Sequence, residues 1–203
     1  MTSIFSLFAS AVFFMALCFS VLQVKRWGKR WPIAYVLVSL ILVIPIGHWL
    51  MVEFVRGYVS DLSMATIFIC AVYLWKVVRP SAAKVHTSLH WFIIIVGIFL
   101  FPMSMGLTQF DPFAMGYSGN DFYNLLVVIV ATVGMLAWFM RWHHIAIVSM
   151  LAIVANGFQI YESQNLWVYL IDPIAVIMCL VSILFKGMSI VMSRYKTLDI
   201  KNV

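Results

Sequence analysis

Few residues of this chain have the chemistry to bind or catalyse, and most of those are carboxylates. Asp172 immediately precedes Pro173 in an apolar run, His48 lies just beyond Pro45, and Glu53, Arg56 and Asp61 fill a short connection between apolar stretches. An ionisable group in or beside a membrane span needs a partner or water, so each is a functional candidate. Asp172 is the first choice for a proton- or ligand-binding group; its plain structural alternative is a carboxylate at a helix start, facing the positive end of the helix dipole. His48 is the second such group, against the local hydrogen bonding that a lone histidine near an interface commonly provides. Arg56 has a planar fork that matches a phosphate or carboxylate. Its simpler role is an ion pair with Glu53 or Asp61.

The segment Thr108–Asn124, TQFDPFAMGYSGNDFYN, combines turn residues with aromatic side chains too apolar for a free loop in water. It is expected to fold back on the rest of the chain or to anchor at the interface, and a lid that carries Asp111 would follow from the first arrangement.

Metal and nucleophile chemistry find little support. His48 with Asp111 or Asp172 has no recognisable ligand spacing. His86 and His90 do have a one-face helical spacing, with His143 and His144 expected at the same surface. Histidines beside basic clusters more often serve an interface, and methionines such as Met103, Met105 and Met115 recur throughout as apolar filler. Cys18, Cys70 and Cys179 lie inside apolar runs as packing residues. No Gly-x-Ser-x-Gly elbow or phosphate-cradling glycine loop occurs. The last apolar run has no central lysine for a retinal Schiff base. No metal and no cofactor are expected.

The elements that must position these residues follow from composition. In 203 residues, 65% are hydrophobic and 10% charged, and the mean hydropathy is +1.05. A soluble globular domain is excluded, since its apolar share is nearer half. The net charge of +6 sits beside apolar runs, which matches anionic lipid head groups as partners and no nucleic acid.

Spans of about 20 apolar residues fit about seven times: Ile4–Val24, Ile33–Val52, Leu62–Val78, His90–Leu107, Asn124–Met140, Ile145–Tyr161 and Trp167–Phe185. Of the 13 lysines and arginines, all but Arg56 cluster between spans: Lys25, Arg26, Lys29 and Arg30; Lys76, Arg79 and Lys84; Arg141; and the tail from Lys186 to Lys201. Of the 7 carboxylates, all but Asp199 lie in or beside the intervening segments. Positive charge stays cytoplasmic on insertion, so the N-terminus is expected outside and the C-terminus inside. Tryptophans and tyrosines flank both ends of the spans, as an aromatic belt requires. Pro45, Pro102 and Pro173 are expected to bend the outer halves of their helices around a cavity.

The fold expected over residues 1–203 is therefore all-α, a single polytopic transmembrane helical bundle in an inner membrane of bacterial type. Its expected function is to bind or transport an ion, small solute or lipid head group at a small outward-facing polar site built from His48, Glu53, Arg56, Asp61, Asp111 and Asp172. Two rivals are an enzyme acting on a lipid-linked substrate at the outer leaflet, with His48 or Glu53 as base, and a non-catalytic subunit anchoring a membrane-protein partner.

Overall fold

The computed structural model describes residues 4–81 and 85–201, with side chains described through Ser189 and at Met192. Lys84 and the side chains of Arg194, Lys196 and Lys201, assigned above to the basic clusters, lie outside the described residues. The chain is 76% helical with almost no strand. Its helices are α1 (Ile4–Val21), α2 (Trp31–Leu42), α3 (Met51–Val59), α4 (Met64–Val78), α5 (Thr87–Pro102), α6 (Tyr123–Phe139), α7 (His143–Gly157), α8 (Leu166–Leu170) and α9 (Pro173–Lys201). A two-stranded hairpin, β1 (Pro45–Ile46) with β2 (Trp49–Leu50), links α2 to α3.

By length and apolarity, three stretches can cross a membrane: Ile4–Val21, Thr87–Leu107 and Leu166–Ser189. The helices α4, α6 and α7 are apolar but have 15, 17 and 15 residues, short of the ~20 that an untilted crossing takes. Exposed apolar side chains such as Ile95, Ile98 and Phe139 match an environment of lipid rather than water.

The second expected span, Ile33–Val52, is not one helix. Helix α2 stops at Leu42 because Pro45 cannot continue it, and the chain turns through Gly47–His48 with Gly47 at φ 65°. A two-residue loop of this kind needs a residue that tolerates positive φ, which glycine does without steric cost. The three prolines thus differ from the expected set of helix bends. Pro45 lies in the hairpin, and Pro173 is the first residue of α9, where its missing N–H leaves no bond unmade. Only Pro102 ends a helix inside a longer helical stretch, passing into a π-turn over Met103–Leu107.

Two buried clusters hold the helices together. The larger joins α4 through α9, with Leu89, Ile93, Leu100, Val148, Leu166 and Tyr169 among its fully buried members. The smaller joins α1, α2 and the end of α4 through Phe19, Val24, Val38 and Val77. Close packing of α5 on α9 depends on Gly97, where a Cβ would stand 2.5 Å from a Val176 methyl. Apart from Arg56, which pairs with Asp61, charge divides along this bundle: Asp61, Asp172, Glu53 and Glu162 sit at the end where α4 and α9 start, and Lys25, Lys76 and Lys186 at the other.

Candidate functional site: a polar cleft beside a hydrogen-bonded helix clamp

The Asp172 carboxylate ties together two helix starts. At the head of α9, Oδ1 accepts from the Ala175 N–H at 2.6 Å, the bond of an N-cap residue. Across the bundle, Oδ2 accepts from the Ser63 N–H at 2.7 Å, and the Thr66 hydroxyl reaches both oxygens, at 2.7 and 2.9 Å. Ser63 is itself the N-cap of α4, its hydroxyl accepting from the Thr66 N–H at 3.2 Å. The negative charge therefore faces the N-termini of α4 and α9 together, where helix dipoles favour an anion.

Around this clamp lies a second set of polar contacts that sequence reading passed over. The Tyr161 hydroxyl donates to the Leu62 carbonyl at 2.6 Å. Its ring stacks on that of Tyr169, whose hydroxyl donates to the Ser163 carbonyl at 2.9 Å. Tyr123 and Asn156 join the start of α6 to the end of α7 through a hydroxyl–amide hydrogen bond. These bonds satisfy groups that would otherwise be orphaned in an apolar interior.

Beside the clamp, α3 and the turn that follows it form an open cleft of about 380 Å³ lined by Trp49, Glu53, Arg56, Gly57, Ser60, Asp61 and Glu162. Glu53 and Arg56 come one turn apart on α3, so both project to the same face. Arg56 stands 3.7 Å from Asp61, with the two side chains 23% and 17% exposed. Asp61 is held by the Ser6 hydroxyl at 2.8 Å, which ties the cleft to α1. Glu53 accepts from the Leu50 N–H at 2.7 Å and so caps α3 while bordering the cleft. Ser60 ends α3 with φ 61° and ψ −158°, a region that only glycine enters without strain. Backbone strain of this kind is concentrated at binding and switching sites.

The structure thus brings together Glu53, Arg56 and Asp61 from the sequence-derived set and adds Glu162, which sequence reading had used only to mark topology. His48 is exposed in the hairpin loop and does not line the cleft. Asp111 is exposed and accepts from the Phe113 N–H at 2.9 Å within its own turn. The segment around it docks elsewhere: Asn165 donates to the Phe113 carbonyl at 3.0 Å and Trp167 to the Pro112 carbonyl at 2.8 Å. Gly116 permits this approach, since a Cβ there would lie 1.9 Å from the Asn165 side-chain oxygen.

At the other end, the histidines turn toward the backbone. His144 Nδ1 accepts from the His86 N–H at 2.9 Å, His86 Nδ1 accepts from the Ser88 N–H at 3.2 Å, and His90 Nδ1 lies 3.2 Å from the His86 carbonyl. Among the described residues, no group of three or more His, Cys, Asp or Glu side chains is placed to hold a metal ion.

No protein-family model, curated protein or solved structure matches this chain.

Proposed function

We propose that this chain is a multi-pass inner-membrane protein of about seven spans, N-terminus outside and C-terminus cytoplasmic, that binds a small polar solute in the outward-facing cleft beside α3. The observation that carries this reading is the cleft of about 380 Å³ with Arg56 and Asp61 held 3.7 Å apart in its wall. Three carboxylates and one guanidinium line it, so a solute with both a cationic and an anionic group complements it best. Arg56 takes the anionic group through its fork, while Glu53, Asp61 and Glu162 face the cation. Binding is favoured over a complete transport path because the other halves of the spans carry few polar residues. Alternation of charge between the two ends of the bundle supports the proposed orientation, and local thinning of the bilayer or snorkelling of flanking residues accommodates the shorter helices.

The test is a thermal-shift and calorimetric screen of the purified protein against small zwitterions, cations and anions, in wild type, Arg56→Ala and Glu53→Gln. A zwitterion should stabilise wild type, and its affinity should fall about tenfold or more in Arg56→Ala, as loss of a charge-assisted hydrogen bond requires. Wild-type affinity in both variants would rule the cleft out as the binding site.

A second reading, a non-catalytic subunit of a membrane complex, is favoured by a different observation. Asp172, Tyr161, Tyr169 and Asn165 all serve contacts between segments of this chain, so its polar side chains hold the bundle and its connections together, as in a subunit whose polar groups serve packing. Native mass spectrometry of the gently extracted protein separates the two, since a subunit would carry a protein partner at fixed ratio. Of the two candidate bases of the enzyme reading, His48 stands outside the cleft, and Glu53 lines it while accepting from the Leu50 N–H.

A further inference from the structure

A second cavity, a furrow of about 550 Å³, runs between α1 and α9. It exists because α1 packs on α2, α3 and α4 whereas α9 packs mainly on α5, so the two helices flank α4 and leave a seam between the two buried clusters. Its lining is almost wholly apolar and extends along α9 from Ile174 to Phe185, about 16 Å at the helical rise. That is about the hydrocarbon depth of one leaflet, half of the ~30 Å core. Polar groups gather toward one end, where Ser20, Tyr73 and His90 join the wall.

Cations surround that end. Lys25 Nζ lies 4.1 Å from the centroid of the Tyr73 ring. Lys186 follows Phe185 directly and donates to the Thr87 hydroxyl at 3.2 Å, one helical turn from His90. The Lys25 ammonium has its pKa lowered, first by partial burial and then by the nearby charge of Lys76. No carboxylate occurs in the segments that build this end, residues 13–31, 69–81, 85–94 and 177–189. The furrow therefore pairs an apolar trough with a cationic mouth.

We propose that the furrow holds one acyl chain of an anionic phospholipid, with the phosphate at the mouth marked by Lys25 and Lys186. Lysines placed between helices at one interface attract anionic head groups, and a bound phosphate would relieve the crowding of Lys25 and Lys76. The apolar trough is matched by an acyl chain, which a free phosphate lacks. This site rests on the membrane reading but not on the polar cleft, with which it shares no residue.

The experiment starts from detergent-purified protein, stripped of lipid and returned to phosphatidylcholine vesicles with a minor share of phosphatidylglycerol, then re-extracted for native mass spectrometry. Wild type should retain one phosphatidylglycerol in preference to phosphatidylcholine. The double variant Lys25→Gln/Lys186→Gln should weaken that retention about 30-fold, from the loss of two basic groups. Val181→Trp, made at a position 43% exposed on the furrow wall, should displace the chain while leaving the lysines in place. Arg56→Ala should retain the lipid as wild type does, whatever its effect on solute binding. Equal retention of both lipids by wild type, or unchanged retention in the lysine variant, would mark ordinary annular lipid and overturn the proposal.

Discussion

The Thr66 hydroxyl donates to both oxygens of Asp172, at 2.7 and 2.9 Å, joining residues 106 positions apart. That contact converts a residue with the sequence credentials of a binding group into a fastener between α4 and α9. Asp172→Ala leaves the Ser63 and Ala175 N–H groups and the Thr66 hydroxyl without their acceptor, and should destabilise the protein by about 3 kcal/mol. Asp172→Asn places an amide donor where one carboxylate oxygen accepted, and should cost about 1–2 kcal/mol. Thr66→Val should cost about 1 kcal/mol. Thermal unfolding in detergent ranks the three. An Asp172→Asn protein as stable as wild type but unable to bind solute would return Asp172 to the binding site.

Ser60 carries a strained backbone in the cleft wall, at φ 61° and ψ −158°. Ser60→Gly should relieve about 1 kcal/mol of that strain, so the melting temperature should rise although glycine adds freedom to the unfolded chain. If the strain presents Asp61 to Arg56, the more stable variant should bind solute less tightly. A lower melting temperature for Ser60→Gly would show that the serine side chain contributes more than its backbone costs.

Docking of the 108–122 segment depends on Gly116, which has no room for a Cβ against Asn165. Gly116→Ala should cost about 1–3 kcal/mol by overpacking and loosen the segment. Limited proteolysis should then cut between Phe110 and Phe122 faster than in wild type. Asn165→Ala should give the same pattern, because it removes the bond to the Phe113 carbonyl and the α8 cap together. Protection equal to wild type in both variants would mean that the bonds from Trp167 to Pro112 and from Ser118 to Gln164 suffice to hold the segment.

Helices were legible in the sequence wherever an apolar run ended at a charge or turn residue, as in α1, α4, α6 and α7. The hairpin after α2 was not, because Ile33–Val52 stays apolar throughout and hydropathy cannot distinguish a helix from a turn within it. Pro45 and Gly47 were the available signals. For Asp172, the Asp-Pro pair and its place at a helix start were readable, but the partners Ser63 and Thr66 were not, since they come from a distant segment. Proximity in sequence offered Arg56 an ion pair with Glu53 or Asp61, and the structure pairs it with Asp61. Glu162 joined them only through tertiary packing, which no local pattern encodes.

The short helices α6 and α7 decide the topology. At about 1.5 Å per residue, 17 and 15 residues span roughly 22–26 Å, less than the ~30 Å core, so the pair crosses only if the bilayer thins or its flanking residues snorkel. If it crosses, Arg141 in the connecting turn lies on the cytoplasmic side with Lys29; if it does not, Arg141 shares the outer side with Asp111 and Glu162. Single cysteines at these exposed positions, in a protein whose Cys18, Cys70 and Cys179 are replaced by alanine, can be tested with a membrane-impermeant maleimide on intact cells. Asp111→Cys and Glu162→Cys should label directly, and Lys29→Cys and Arg141→Cys only after permeabilisation. Direct labelling of Arg141→Cys would remove two crossings and leave α6 and α7 as a hairpin packed against the outer face.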